Sequence, residues 1–486
     1  MIDERSTKLL RTALMEIPAV QAQETLQPPA LANIIIPDAH WQALELDSLL
    51  VVGDRGTGKS FWTAVLADNA HRAFVARMIN SPILADAETR VGFSVDQSNR
   101  LHPNRVEMDM LVGAGISCEA IWNAVVYRHL ADILGRRLPV EDAWKPLCTW
   151  VSSVAGGLGS ILAEFDEEFT RKKKTALLIF DSFDTLSDEW PKMRARVKAA
   201  LQVALQLRNT RSIKTKFFLR PDMAQDDAIW EFPDSSKLKH GRIDLKWTPT
   251  ALFSIVLRYM ANHSSAGEVF RAACMQKAIM NFTDSDGIFL EPRAGMVKES
   301  GIKAAIELLT GRWMGNGAKR GYCYSWIPVH LSDAKGVVSP RSILLAFREA
   351  ARVTDARYFS HGLPLHFEGI KSGVVKASAV RVDELKEGYP WVATLLQALE
   401  GQTVPINIEQ LISLWKQAIE YIESKGKLPP RRFNEDPVRK GQISALIDDL
   451  AEIGVLYRTS DNRINIPDIF RVGYKIGRKG GVKPLT

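Results

Sequence analysis

One stretch of the chain carries residue types and spacing with a definite chemistry. Gly53-Asp54-Arg55-Gly56-Thr57-Gly58-Lys59-Ser60 fits G-x-x-x-x-G-K-[ST] at every fixed position. The glycines let the backbone turn with its N–H groups inward, and a helix beginning at Lys59 would add its partial positive charge. Such a cradle suits a triphosphate. Lys59 would reach the β- and γ-phosphates, and the Ser60 hydroxyl would bind Mg²⁺. ATP and Mg²⁺ are therefore the expected ligands. The flanks agree: 49–52 is an apolar, β-branched run that predicts a buried strand, and 61–70 has the composition of a helix.

A triphosphate site also needs a carboxylate near the metal. Residues 176–180 form a five-residue apolar strand ending in Asp181, entered from the basic run 171–174. A continuous apolar strand suits a buried parallel sheet, hence an α/β domain. Asp181 is the expected Mg²⁺ partner. Asp184 has two readings, one polarising the attacking water and the other capping the next helix. A helix over 191–208 and a strand over 213–219 follow, the strand ending in Arg220. Guanidinium reads phosphate oxygens bidentately, so Arg220 is either a γ-phosphate sensor or a solvated strand end.

The 486 residues are enough for two to four domains, and 46% hydrophobic with 24% charged residues excludes general disorder. No apolar run approaches the roughly 18 residues needed to span a bilayer, so no membrane role is expected. Two early acids, Asp3 and Glu4, speak against a secretory signal. Cys118, Cys148, Cys274 and Cys323 are too dispersed for a disulfide framework or zinc site, which fits a cytoplasmic location. A net charge of +7 spread over this length does not by itself imply a nucleic-acid partner.

The order of parts resembles the AAA+/STAND group of P-loop ATPases. Ile179-Phe180-Asp181-Ser182-Phe183-Asp184 looks like a Walker B segment, and Phe218-Leu219-Arg220-Pro221-Asp222 looks like a strand-end arginine motif. Ser339-Pro340-Arg341-Ser342, opening a helix through 351, looks like the lid signature of origin-recognition-type AAA+ proteins. That resemblance implies a parallel P-loop sheet with a helical lid, and makes Arg341 a second nucleotide sensor. Two departures stand out. Ser182 occupies the place of a catalytic Glu, which implies slow hydrolysis, and about 120 residues separate the two Walker motifs, which implies a helical insertion. Gly362-Leu363-Pro364-Leu365 mimics a STAND lid signature but falls after the lid helix and reads as a loop.

The expected domains are an N-terminal arm (1–44), an ATPase domain (45–250) with an insertion near 112–170, a helical lid (251–355), a linker (356–403) and a C-terminal unit (404–486). In that last unit two amphipathic helices, 406–422 and 439–453, precede strands around the turn Ser460-Asp461-Asn462. Helix, helix and hairpin resemble a winged helix. The helix before the wing carries Asp448, Asp449 and Glu452, which would repel DNA. The tail cations Arg471, Lys475, Arg478, Lys479 and Lys483 are the expected DNA backbone contacts, with a protein-contact role as the alternative. Two functions stay open: a slow ATP-driven switch or remodeller that oligomerises and acts on DNA or with an effector protein, and a nucleotide-gated scaffold without a DNA role. A small-molecule kinase is the weaker third. Bacterial proteins of the resembled group often serve in regulation or anti-phage defence.

Overall fold

The computed structural model describes residues 3–18, 27–95, 101–187, 189–292, 299–424 and 441–478. The chain divides into two compact units, 21–246 and 1–20 with 247–486.

The first unit is α/β. Strands β1 (Leu50–Val52), β2 (Glu88–Phe93), β3 (Ala176–Phe180), β4 (Ile213–Leu219) and β5 (Ile243–Asp244) form one sheet in the order β2-β3-β4-β1-β5. Every neighbouring pair is parallel, so all the strands end on the same edge. β3 is buried at all five positions, as its unbroken apolar run requires. β2 lies at the border of the sheet and tolerates charge: Glu88 pairs with Lys174 at 3.0 Å and Arg90 with Asp132 at 2.7 Å. Its register shifts beside Gly92, where a Cβ would stand 2.5 Å from the Phe180 ring. Only glycine lets the two strands approach there.

The expected insertion is helical, and it begins earlier than 112: Arg105–Gly113, Cys118–Leu134, Trp144–Ser153 and Gly157–Arg171 lie between β2 and β3. Ser117 caps the second of these by accepting from Ala120 N at 3.1 Å. Among the described residues no single helix is long and apolar enough to cross a membrane. One bent pair, Trp144–Ser153 with Gly157–Arg171 at 95°, passes that test together, and its apolar side chains (Leu147, Val151, Leu162, Phe165, Phe169) are buried in the core.

Two of the expected boundaries need correction. Residues 1–44 are not one arm. Helix Glu4–Met15 belongs to the second unit, where buried Arg11 donates to the carbonyls of Phe359 (2.9 Å), His361 (3.1 Å), Leu363 (3.1 Å) and Pro364 (3.0 Å). Helix Asp38–Leu44 belongs to the first unit, where His40 Nδ1 accepts from Trp62 Nε1 at 3.0 Å. The stretch 356–403 is not a linker either. Helix Phe367–Gly388 packs along helix Pro340–Arg357 so closely that a Cβ at Gly373 would lie 2.2 Å from Ala346 O. Its packing stripe of Gly369, Gly373 and Ala377 is small rather than greasy, so the apolar periodicity that marks a helix is weak.

The lid region holds helices Pro249–Asn262, Gly267–Gln276, Glu299–Thr310, Cys323–Leu331 and Pro340–Arg357, with a hairpin of Thr283–Ser285 and Ile288–Leu290 that sequence periodicity did not suggest. In the C-terminal part, helices Ile408–Ser424 and Ile443–Glu452 precede the antiparallel pair Tyr457–Arg458 and Ile464–Asn465, with Asn462 at φ 61° in the turn. Ile406 adds a third strand through a bridge to Ile464. This is the helix–helix–wing order of a winged-helix-like α+β unit.

Candidate nucleotide site

Three of the parallel strands end in the residues that matter. β1 runs into the glycine loop, β3 into Asp181, and β4, which lies between them, into Arg220. The crevice beyond the carboxyl ends of such strands is where ligands bind in open α/β sheets. The strand order therefore sets the sensor position between loop and acid.

The loop is shaped by its glycines. Gly56 and Gly58 have φ of 80° and 106°, a region that side-chain-bearing residues rarely adopt. A Cβ at Gly53 would lie 2.4 Å from Thr57 Oγ1. Gly53 N donates to Leu219 O at 3.0 Å, tying the loop to the end of β4. Helix Lys59–Ala67 begins directly after Gly58, as the expected helix requires. Lys59 Nζ donates to Gly53 O at 2.7 Å and Asp54 O at 3.0 Å, which holds the ammonium within the loop. Burial lowers the Lys59 pKa, and the nearby charges of Asp181 and Asp184 partly restore it.

Ser60 Oγ donates to Asp181 Oδ2 at 2.7 Å. The other carboxylate oxygen, Asp181 Oδ1, is buried and has no hydrogen-bond partner among the described residues. Burial raises the pKa of Asp181, against the opposing effects of Ser60 and Lys59. The Ser60 hydroxyl and one carboxylate, whose second oxygen is orphaned, are hard-oxygen donors of the kind that fits Mg²⁺. Asp181 N donates to Phe93 O at 3.0 Å, which fixes the acid against the end of β2.

Asp184 is not a helix cap. It lies in the short turn Phe183–Thr185, and helix Trp190–Leu207 starts after Glu189. Ser182 makes this possible by turning through the left-handed region at φ 60°, which drops Phe183 into the core and returns Asp184 to the site. There Asp184 Oδ2 accepts from Arg55 Nη2 at 3.1 Å and Arg220 Nη1 at 3.3 Å. Burial alone would raise its pKa, but Arg220, Arg55 and Lys59 outweigh it and hold the carboxyl below its ordinary range. Arg220 is 7% exposed and also donates Nε to Asp222 Oδ1 at 3.1 Å, with Nη2 bonded to Asp222 Oδ2. It is thus no solvated strand end. Sequence reading assigned no role to Asp222. The signal was Pro221, which opens the turn Pro221–Ala224 and brings an acid back onto the preceding arginine.

The remaining expectations lie in the second unit. Ser339 precedes helix Pro340–Arg357 as expected, and Arg341 pairs there with Glu384. Of the tail cations, Arg471 cannot touch a phosphate. It is wholly buried, its Nε donating to Asp468 Oδ1 at 2.6 Å and its Nη1 to Ile476 O at 3.2 Å. A residue that closes a helix against its own chain has no surface to offer. Lys475 lies 3.4 Å from Glu400, and Arg478 lies 3.6 Å from Asp468. Lys479 and Lys483 lie outside the described residues.

No family model matches this chain, and no curated protein matches it. Among solved structures it is similar to the Aeropyrum pernix ORC2 protein in ADPNP–ADP complexes, at 10% identity over 87% of this chain and 84% of that one, with a TM-score of 0.38. The Aeropyrum pernix ORC1 protein in complex with DNA gives 12% identity, 94% and 93% coverage and a TM-score of 0.33. Drosophila ORC bound to DNA gives 11%, 95%, 90% and 0.31. The P-loop α/β fold described above rests on the strand order and the loop.

Proposed function

We propose that this chain is an ATP-binding, slowly hydrolysing switch of the AAA+ kind that oligomerises and acts on DNA. The observation that carries the reading is the convergence of Lys59, Ser60, Asp181 and Arg220 at one sheet edge, with Asp181 Oδ1 left without a partner. In this reading the loop backbone and Lys59 hold the β- and γ-phosphates and Arg220 meets the γ-phosphate. Mg²⁺, held through Ser60 and Asp181, would neutralise charge on the phosphate oxygens.

Slow turnover follows from two side chains. Ser182 supplies no carboxylate next to Asp181, and Asp184 is a weak proton acceptor because two guanidiniums hold its pKa down. Asp184 serves better as the strut that keeps Arg55 and Arg220 aimed at the site.

Binding of a labelled ATP analogue to the parent and to Lys59→Ala tests the core of the proposal. The variant should bind roughly a hundredfold more weakly, as expected for losing charge-assisted bonds to two phosphates. Equal affinity would remove the loop from nucleotide binding. ATP turnover with and without double-stranded DNA, together with particle size in each nucleotide state, tests the DNA and assembly parts.

A second reading, a nucleotide-gated scaffold working through protein contacts, is favoured by the C-terminal part. The helix before the wing keeps Asp448 and Glu452 partly exposed, while Asp449 and Arg471 are buried. Nucleotide-dependent assembly with no response to DNA would select it.

A further inference from the structure

Among the described residues of the winged-helix-like part several cations face acids, Arg458 lying 3.5 Å from Asp448, Arg463 2.7 Å from Asp461 and Arg471 2.6 Å from Asp468, whereas another place in the second unit holds cations without ion pairs. Between residues 300 and 332 the sequence holds Lys303, Arg312, Lys319 and Arg320 against a single acid, Glu307. The fold places Lys319 and Arg320 on a small hairpin, 313–322, with Arg312 just before it and Lys303 on the preceding helix Glu299–Thr310. Trp313 bridges Tyr322, Met314 N donates to Gly321 O at 2.9 Å, and Cys323 N donates to Arg312 O at 3.0 Å. Buried Met314 and Cys323 root the base in the core, while Arg312, Lys319 and Arg320 are exposed. Gly315 and Gly317, at φ 149° and 141°, make the tight tip possible, and a Cβ at Gly315 would stand 3.1 Å from Arg320 Cγ.

The cations are placed but not neutralised. Arg312 lies 4.9 Å from the centre of the Trp313 ring and Lys303 lies 4.3 Å from that of Tyr322. An aromatic face orients a cation without cancelling its charge. The one acid is engaged, since Tyr322 donates its hydroxyl to Glu307. Among the described residues none of the four cations is ion-paired. A loop whose charge is only solvated has no need of a buried root or of aromatic seats for its cations.

We propose that hairpin 313–322 is a nucleic-acid contact that grips the phosphate backbone without reading sequence. The inference rests on the DNA reading above and adds this hairpin to the expected contacts, from which buried Arg471 drops out. Phosphates are the matching partner because the exposed groups are cations without ion pairs, and their charge suits the anionic backbone of a duplex.

The test is a salt titration of duplex binding by the full chain, comparing the parent with Lys319→Ala/Arg320→Ala on two unrelated duplexes. Both residues are exposed, so the fold is not at stake, and binding of the labelled ATP analogue should be unchanged. Loss of two phosphate contacts should reduce the log–log salt slope by about 1.8 and weaken both duplexes about 30-fold near 0.15 M salt. A parent that binds with the same slope and affinity as the variant overturns the hairpin and leaves the DNA reading standing. A parent that binds neither duplex overturns both. A loss confined to one duplex also overturns the proposal, since backbone contacts are blind to sequence.

Discussion

Arg220 and Arg471 make an instructive pair. Each sits beside an aspartate close in sequence, Asp222 and Asp468, and each is almost fully removed from solvent. Arg220 ends a parallel strand on the edge where the glycine loop and Asp181 also end, and it shares Asp184 with Arg55 from that loop. Arg471 ends the short helix Asp468–Arg471 and turns inward onto Ile476 O. The same residue type stands beside the glycine loop at a sheet edge in one unit and is built into the scaffold of the other. What separates them is the backbone on which they stand: strand ends of a parallel sheet open onto a crevice, whereas a helix closing on its own chain does not.

The contrast can be broken most forcefully at Arg471. Arg471→Ala leaves Asp468 buried without its main partner and should cost about 3–5 kcal/mol of stability, with the ATP-analogue affinity of surviving folded protein unchanged. Chemical denaturation followed by nucleotide titration checks both halves. A variant of parental stability would make Arg471 something other than scaffold. It also follows that deleting residues 470–486 is a poor probe of a tail, since buried Phe470, Arg471, Tyr474 and Ile476 would go with it.

Arg220→Ala is the mirror experiment. Turnover per folded molecule should fall roughly a hundredfold, the scale of losing one positioned donor to a transition state, alongside a lowered melting temperature, because Asp184 and Asp222 lose a partner. A large drop in melting temperature with turnover per folded molecule preserved would place Arg220 with Arg471.

The two site carboxylates sharpen the comparison through pH. Asp181 is raised above its ordinary value of 3.8, so its ionised form weakens the fold at neutral pH, and that cost is relieved as pH falls through its folded pKa. Asp184 is lowered, so it contributes stability above the ordinary carboxylate range that is lost as pH falls through its folded value. Melting curves between pH 7 and pH 4 should therefore rise less on acidification in Asp181→Asn than in the parent. Asp184→Asn should be destabilised at pH 7, with the difference narrowing only once the series is carried below the ordinary carboxyl value of 3.8. Identical pH profiles for both variants and the parent would contradict this assignment.

The smallest expected effect is at Ser182. Its left-handed backbone makes Ser182→Gly stabilising by about 0.5–1 kcal/mol, measurable as a raised melting temperature. A neutral or lowered value would mean that the Ser182 side chain contributes more than its backbone costs.

The site was more legible in sequence than the architecture around it. β1 and β3 are interior strands with unbroken apolar runs, and interior β4 closes on Phe217-Phe218-Leu219, so their ends, and with them Lys59, Asp181 and Arg220, could be placed from the sequence. β2 and β5 border the sheet, one carrying Glu88 and Arg90 and the other two residues long, so neither has a strand-like pattern. Asp184 was assigned a cap or a water because local spacing cannot show that Arg55, 129 positions earlier, reaches it. Arg471 was misplaced for a related reason: glycines and cations in sequence resemble a solvated tail whether or not the chain folds back. Helix Phe367–Gly388 was hidden by its small-residue stripe.

The row Arg55–Asp184–Arg220–Asp222 holds two positive and two negative charges and so is balanced as it stands. An arriving anion does not meet a bare cation there but has to outcompete carboxylates already seated. A monovalent anion such as chloride gains too little from Arg220 to displace them, whereas a terminal phosphate brings more charge and more acceptor oxygens to the same guanidinium. On the proposed nucleotide reading, the balanced row would act as a threshold on charge density, staying closed to ordinary salts and opening for a triphosphate whose last group reaches Arg220.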